Sequence, residues 1–239
     1  MSDWQTCALT DVGVRRKHNE DAIISRPEAG LWAVADGMGG HEAGDVASKL
    51  VTEALSGIPR AENFSVFVDQ VEDALLTANH ALREHAAREF AGRMMGSTVV
   101  VMTADQGYGA CIWAGDSRLY QLRDGELQQI SRDHSQVQKL VDAGVLSEEE
   151  AESHPNANVI TRAIGGSPDL VLDVVLFDIR PGDRFLLCSD GLYNEVDKAD
   201  LAAGMAVEDV EAAARQLLTG ALDAGARDNV SVIVVGAQA

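Results

Sequence analysis

The chain has 239 residues, 46% of them hydrophobic, enough to bury a large core and within the size of one large α/β or β-rich domain. Its net charge of −19 argues against binding nucleic acid or an anionic membrane through a broad electrostatic field, because both require a basic surface. Cys7, Cys111 and Cys188 are odd in number and widely spaced, which suggests neither a disulfide framework nor a zinc site; with no leader-like apolar region and no membrane-length span, the expectation is a soluble cytoplasmic protein, for which nothing demands more than a monomer.

In chain order, the first signal is Arg16-x-x-Asn19-Glu20-Asp21, followed by apolar and β-branched runs at 22–25 and 31–35 that read as strands. The second run ends in Asp36-Gly37-Met38-Gly39-Gly40-His41, a carboxylate at the lip of a buried strand followed by residues free to turn sharply. Two segments then show a period near 3.6: Val46, Leu50 and Ala54 with Ala47, Val51 and Leu55 beside them, and Phe67, Val71, Ala74, Leu75, Ala78 and Leu82. Both read as amphipathic helices packed on sheets. Further strands are expected at 98–103, 109–114 and 119–122, the last joined through Asp124-Gly125, the dipeptide of a tight hairpin, to 127–130. Between 133 and 166 the pattern weakens: 136–143 looks helical, Ser147-Glu148-Glu149-Glu150 is a capped helix start, and His154-Pro155-Asn156 breaks the chain. This reads as an excursion over one end of the molecule. Strands at 171–177, 185–188 and 230–235 complete the pattern, with a third amphipathic helix carrying Val210, Ala213, Ala214, Leu217, Leu218 and Ala221. Strands apolar on both faces place each sheet between a helical layer and another sheet, an α+β helix–sheet–sheet–helix sandwich in a single domain, 1–239.

The chemistry gathers at the strand ends. Asp36 and Asp190, the latter in Ser189-Asp190-Gly191, each end an apolar run and precede glycine, and Asp228 stands just before the last strand in Arg227-Asp228-Asn229. Carboxylates brought together at sheet ends either repel one another or share a hard cation. Three of them plus the Gly37 carbonyl suit two Mg²⁺ or Mn²⁺ ions. Two such ions about 3.5–4 Å apart present a shared water as hydroxide for in-line attack on phosphorus. Arg16 offers a fork matched to two phosphate oxygens, and Glu20 and Asp21 suit the orientation of ion-held waters. The competing reading is a surface ion pair of Arg16 with Glu20, and each Asp taken alone is more often a turn or cap residue than a ligand.

Together with Gly96-Ser97-Thr98 and Ala114-Gly115-Asp116-Ser117-Arg118, these segments occur in an order and spacing that resemble the type 2C, or PPM, metal-dependent serine/threonine protein phosphatases, particularly the short bacterial members. The resemblance implies a four-layer α-β-β-α sandwich with two antiparallel sheets face to face and a dinuclear Mn²⁺/Mg²⁺ centre in a cleft at the sheet ends. It implies that Asp36 bridges both ions, that the Gly37 carbonyl serves one, that Asp190 and Asp228 serve the other, and that Arg16 clamps the phosphate. Glu20, Asp21 and Asn229 would then support the ligands and waters. A third ion would take Asp116 with Asp190, although Asp116 reads equally well as the cap of the Gly115 turn. Met38 stands where eukaryotic relatives carry a histidine, which leaves His41 as a candidate general acid and, as readily, a helix-start residue with no catalytic role. The excursion at 133–166 resembles the family's flap. The expected substrates are phosphoserine and phosphothreonine proteins, the expected partner is a Ser/Thr kinase that the enzyme opposes, and some short Gram-negative members are tied to a secretion apparatus. The alternatives are a catalytically inactive phosphoprotein-binding scaffold and a small-molecule phosphatase of the same fold.

Overall fold

Strand β3 (Leu31–Met38) holds the plan of the molecule: Leu31, Ala33 and Ala35 point to one side of the sheet and Trp32 and Val34 to the other, all of them buried, as the two-residue repeat of a strand requires. The computed structural model describes residues 4–40, 42–89 and 95–237. One sheet runs in the order β2 (Asp21–Arg26), β3, β5 (Val99–Asp105), β6 (Tyr108–Ala114) and β9 (Asp173–Asp178), with the short β4 (Gly96–Ser97) paired to β3. The other runs β1 (Trp4–Asp11), β11 (Val230–Ala237), β10 (Arg184–Cys188), β7 (Arg118–Arg123) and β8 (Glu126–Gln129), and the pairings in both sheets are antiparallel.

Three apolar layers follow from the alternation. Trp32, Val34, Val100, Met102, Phe185, Leu187 and Ile233 fill the space between the sheets. The outer face of the β3 sheet is covered by α1 (Glu42–Ser56) and α2 (Phe64–Glu89), with Val51, Leu55, Val71, Leu75 and Leu82 buried against it. The outer face of the other sheet is covered by α6 (Lys198–Met205) and α7 (Val210–Asp223), through Leu201, Met205, Ala213, Leu217 and Ala221. The expected four-layer α-β-β-α sandwich is therefore the observed one. Local chemistry sets the helix starts: Asp197 and Asp209 accept hydrogen bonds from the backbone N–H groups of Asp200 and Ala212, and Ser147 forms a full capping box with Glu150. The Asp124-Gly125 turn carries φ values of 52° and 83°, the left-handed pair that joins β7 to β8 in a tight hairpin.

Besides the short β4 and the single turn α5 (Asp190–Tyr193), β1 and α6 were not expected from the sequence. β1 pairs along its whole length with β11, from Trp4↔Ala237 to Asp11↔Val230. Its side chains are mostly half-buried, so it lacks the apolar run that marks an interior strand. α6 is built largely from Ala, Gly and Leu and carries no clear apolar stripe. One expectation is corrected: β9 begins at Asp173, and it is an edge strand with Val174, Val175 and Leu176 exposed, not a strand buried on both faces. The excursion contains α3 (Gln136–Asp142) and a short α4 (Glu148–Glu152); the isolated bridge Ser135↔Ile160 closes it on itself and Ser97↔Ile164 ties it to β4.

Candidate functional site

The alternation that buries Trp32 and Val34 between the sheets delivers Asp36 to the same inner side, at the open end of the layer. By the same count, Asp21 lies two residues before the inward Ile23 on β2, Ser189 follows Phe185 and Leu187 after β10, and Ser231 lies two residues before Ile233 on β11. The buried Asp21 carboxylate joins the two sheets: its Oδ2 accepts hydrogen bonds from Ser189 Oγ and Ser231 Oγ, each at 2.7 Å, while its buried Oδ1 has no partner.

Asp21 and Asp36 face each other across β2 and β3. Gly37 N–H donates to the Glu20 carbonyl at 3.0 Å, so the neighbouring 21/36 pair is of the close, non-hydrogen-bonded kind in which side chains approach. Two carboxylates opposed in this way repel. The backbone holds them there nonetheless: Asp36 N–H donates to Thr98 Oγ1 at 3.2 Å, and its carbonyl accepts from Thr98 N–H at 2.9 Å and Ser97 Oγ at 3.1 Å. This is what the Gly96-Ser97-Thr98 segment does. Gly37 has no room for a side chain, since a Cβ would lie 2.0 Å from the Gly44 carbonyl oxygen in the first turn of α1.

Three further carboxylates arrive from the start of α5 and from the connections before β11 and between β6 and β7. Asp190 opens α5 (Asp190–Tyr193); its Oδ2 accepts from Asn194 Nδ2 at 3.2 Å and its buried Oδ1 is unpartnered. Asp228 accepts the Asn229 N–H on Oδ1 at 2.9 Å and the Arg16 guanidinium on Oδ2 at 2.7 Å. Asn229 pins the Arg16 segment to the sheet, accepting Glu20 N–H on Oδ1 and donating Nδ2 to the carbonyls of Val12 and His18. Asp116 is buried in the turn between β6 and β7, where its carbonyl accepts the Tyr193 hydroxyl at 3.0 Å. Behind it, Gly115 N–H donates to Nδ1 of His134 at 3.1 Å, and the imidazole stacks on Trp113.

Four of these acids hold their protons far more tightly than ordinary aspartates. Burial and the charges of Asp21, Asp190, Asp116 and Asp228 push Asp36 well above the usual carboxylate range. Burial, then Asp116, Asp228 and Asp21, do the same to Asp190, with Arg16 opposing. Burial lifts Asp21 to about 6 despite its serine donors, and burial with Asp133 lifts Asp116 to about 7. Such a field is relieved either by protons or by cations.

Among the described residues, no three His, Cys, Asp or Glu side chains close into a ready-made ion cage. Hard octahedral ions need no such cage, because they retain several waters and take only one or two carboxylates each. The donor set is made of oxygen alone, it includes two buried carboxylate oxygens without partners, and its members raise one another's pKa; these features fit Mg²⁺ or Mn²⁺.

The structure thus brings Arg16, Glu20, Asp21, Asp36, Gly37, Asp116, Asp190, Asp228 and Asn229 to one end of the sandwich. His41 lies outside the described residues. Ser231, Tyr193 and Asn194 were not singled out from the sequence. Ser231 had left a signal, a lone hydroxyl in the apolar run of β11; Tyr193 and Asn194 left none, because their roles depend on where α5 sits.

A family model described as protein phosphatase 2C matches residues 14–223. The serine/threonine protein phosphatase PstP of Mycobacterium tuberculosis is 38% identical over 227 residues, a match that covers 95% of this chain and 44% of PstP, so the chain spans about half the length of that curated relative. Among solved structures, "PppA, a key regulatory component of T6SS in Pseudomonas aeruginosa" is 43% identical with a TM-score of 0.92, covering 99% of this chain and 98% of that one. The catalytic domain of PstP in complex with 2 manganese ions is 36% identical with a TM-score of 0.90, covering 99% of each chain.

Proposed function

The chain belongs to the protein phosphatase 2C family, and from that premise we propose that it is a metal-dependent protein serine/threonine phosphatase. The observation that carries this reading is the convergence of Asp36, Asp190 and Asp228 at one sheet end, with Asp21 Oδ1 and Asp190 Oδ1 buried and unpartnered and Arg16 beside them. The manganese-bound PstP domain supports Mn²⁺ or Mg²⁺ as the cofactor.

In this reading Asp36, the Gly37 carbonyl, Asp190 and Asp228 would hold two ions, and Asp116 with Asp190 would hold a third. When bound, the ions supply the Lewis acidity that makes water a nucleophile at neutral pH and offsets phosphoryl charge. The chain's own residues do the rest. Arg16 is half-exposed and bonded to Asp228, so its guanidinium can turn to two phosphoryl oxygens while staying over the cluster. Ser189 and Ser231 fix Asp21 against Asp36, and the Thr98 and Ser97 bonds fix the Asp36 backbone, so the donor oxygens are held in place before substrate arrives. Glu20, Asp21 and Asn229 orient the waters and the Arg16 segment. The segment 133–166 forms a flap beside the site and bears on the choice of protein substrate.

The proposed substrates are phosphoserine and phosphothreonine proteins, including those of a Ser/Thr kinase that the enzyme opposes. The similarity to PppA supports a link to a secretion system. Three free cysteines suit a reducing compartment, the cytoplasm. Among the described residues, no helix is long and apolar enough to cross a membrane. An inactive scaffold is disfavoured because Arg16, Asp36, Asp190 and Asp228 are all present and converge. The test is phosphate release from a phosphothreonine peptide: it should require added Mn²⁺ or Mg²⁺ and vanish in Asp190→Asn. Equal release in excess chelator would overturn the reading.

A further inference from the structure

A groove of about 1200 Å³ opens on the outer side of β7 and β8, between the α3–α4 excursion and the α5–α6 segment. It is separate from the carboxylate cluster but shares a wall with it: Tyr193 and Asn194 line the groove, and they are the residues whose side chains bond the Asp116 carbonyl and Asp190 Oδ2. The groove therefore lies next to the cluster, across that wall. The groove offers two kinds of contact. The half-buried Leu127 and Val141 give apolar surface, backed by the buried Val137 and Val196. Asp124, Glu126, Glu148 and Asp197 place carboxylates along it.

The cations in the groove do not balance that charge. Arg118 is spent on Asp133, with guanidinium–carboxylate distances of 2.7–3.1 Å, and lies over the Tyr193 ring. Arg123 is spent on Asp183 and Asp178. Lys198 is left against the carboxylates, next to Asp197. With a whole-chain charge of −19, a second copy of this protein or a nucleic acid would be repelled from this face.

We infer that this groove is a docking site for a basic segment of the phosphoprotein substrate, one with lysine or arginine side chains interspersed with apolar residues and lying several residues from the phosphorylated one. The inference rests on the phosphatase reading above. Exposed carboxylates act on such a segment mainly through encounter and orientation, so the effect falls on KM and weakens with salt.

The full chain and the double variant Glu126→Lys/Glu148→Lys, altered at two exposed positions away from the carboxylate cluster, test it. The probes are p-nitrophenyl phosphate, a phosphothreonine peptide with a lysine–leucine tract, the same peptide with glutamine for each lysine, and the unphosphorylated lysine–leucine peptide carrying a fluorophore. The expected result is a kcat/KM about tenfold higher for the lysine than for the glutamine peptide at low salt, carried by KM. That preference should be lost in 0.5 M salt and in the double variant, while p-nitrophenyl phosphate turnover is unchanged. Equal kcat/KM for the two peptides with the unaltered chain, or an equal loss on both peptides in the variant, would overturn the inference. If p-nitrophenyl phosphate and both peptides are all left intact, the phosphatase reading fails, and the fluorescent peptide still decides the groove: binding that the double variant abolishes supports docking, and no binding refutes it.

Discussion

Asp21→Asn should make the metal-free protein more stable at alkaline pH while weakening its hold on Mn²⁺, the opposite signs expected of a side chain placed for an ion and not for the fold. The carboxylate is buried, opposes Asp36 across β2 and β3, and has one oxygen without a partner. Burial lifts its pKa from 3.8 to about 6. A raised carboxylate pKa means that the folded state binds the proton more tightly than the unfolded state. Its contribution is therefore most favourable below pH 3.8, declines as pH rises, and is fully lost above about 6. Two pKa units correspond to roughly 3 kcal/mol, an upper figure because Asp21 and its neighbours titrate together. Asparagine keeps the shape and can still accept from Ser189 and Ser231, but it has no charge to bury. In excess chelator at pH 8, the variant should melt several degrees higher than the parent, at roughly 2–4 °C per kcal/mol for a domain of this size. The two melting curves should converge as pH falls toward 4. With Mn²⁺ added, the order should reverse, because the parent gains more from the ion. Calorimetry across pH with and without Mn²⁺ reads all three effects. A variant that is destabilised equally at pH 4 and pH 8 in chelator would refute the reasoning and make Asp21 simply a hydrogen-bonded tie between the sheets.

Arg16→Ala should raise KM for a phosphothreonine peptide about 10- to 100-fold, the worth of a charge-assisted hydrogen-bond pair, with a smaller change in kcat; Arg16→Lys should recover only part of the loss because it lacks the fork. Unaltered steady-state kinetics would return Arg16 to the role of a surface partner for Asp228. Asn229→Ala removes three side-chain hydrogen bonds to the backbone of Val12, His18 and Glu20 at a buried position, and denaturant titration should show a loss of about 1–3 kcal/mol. Gly37→Ala drives a methyl into the Gly44 carbonyl, so soluble yield and metal-dependent activity should fall together. Leu187→Ala, between the sheets and fully buried, should cost about 2–5 kcal/mol while leaving the Mn²⁺ requirement of the residual activity unchanged.

The sequence by itself determined most of the elements and named most of the residues that meet at the candidate site. The apolar run through 31–35 ending in Asp36-Gly37, the run through 185–188 ending before Asp190, and the lone Asp228 before 230–235 are local patterns, legible because side-chain alternation and glycine geometry act over a few residues. The doubly apolar strands implied sheets facing each other, and the structure fills that space with Trp32, Val34, Phe185, Leu187 and Ile233. β1 was not legible because it pairs at the rim, where half-buried side chains suffice, and its hydrogen bonds go to a strand at the far end of the chain. Only the tertiary structure decided that the Asp21 carboxylate lies between two serines 168 and 210 residues away, that Tyr193 reaches the Asp116 carbonyl, and that a groove lined by Asp124, Glu126, Glu148 and Asp197 lies next to the site across the Tyr193–Asn194 wall. The reason is physical: sheet order and register, set by burial over the whole molecule, fix which strand ends meet, and the charges that gather there follow from that meeting and not from any segment alone.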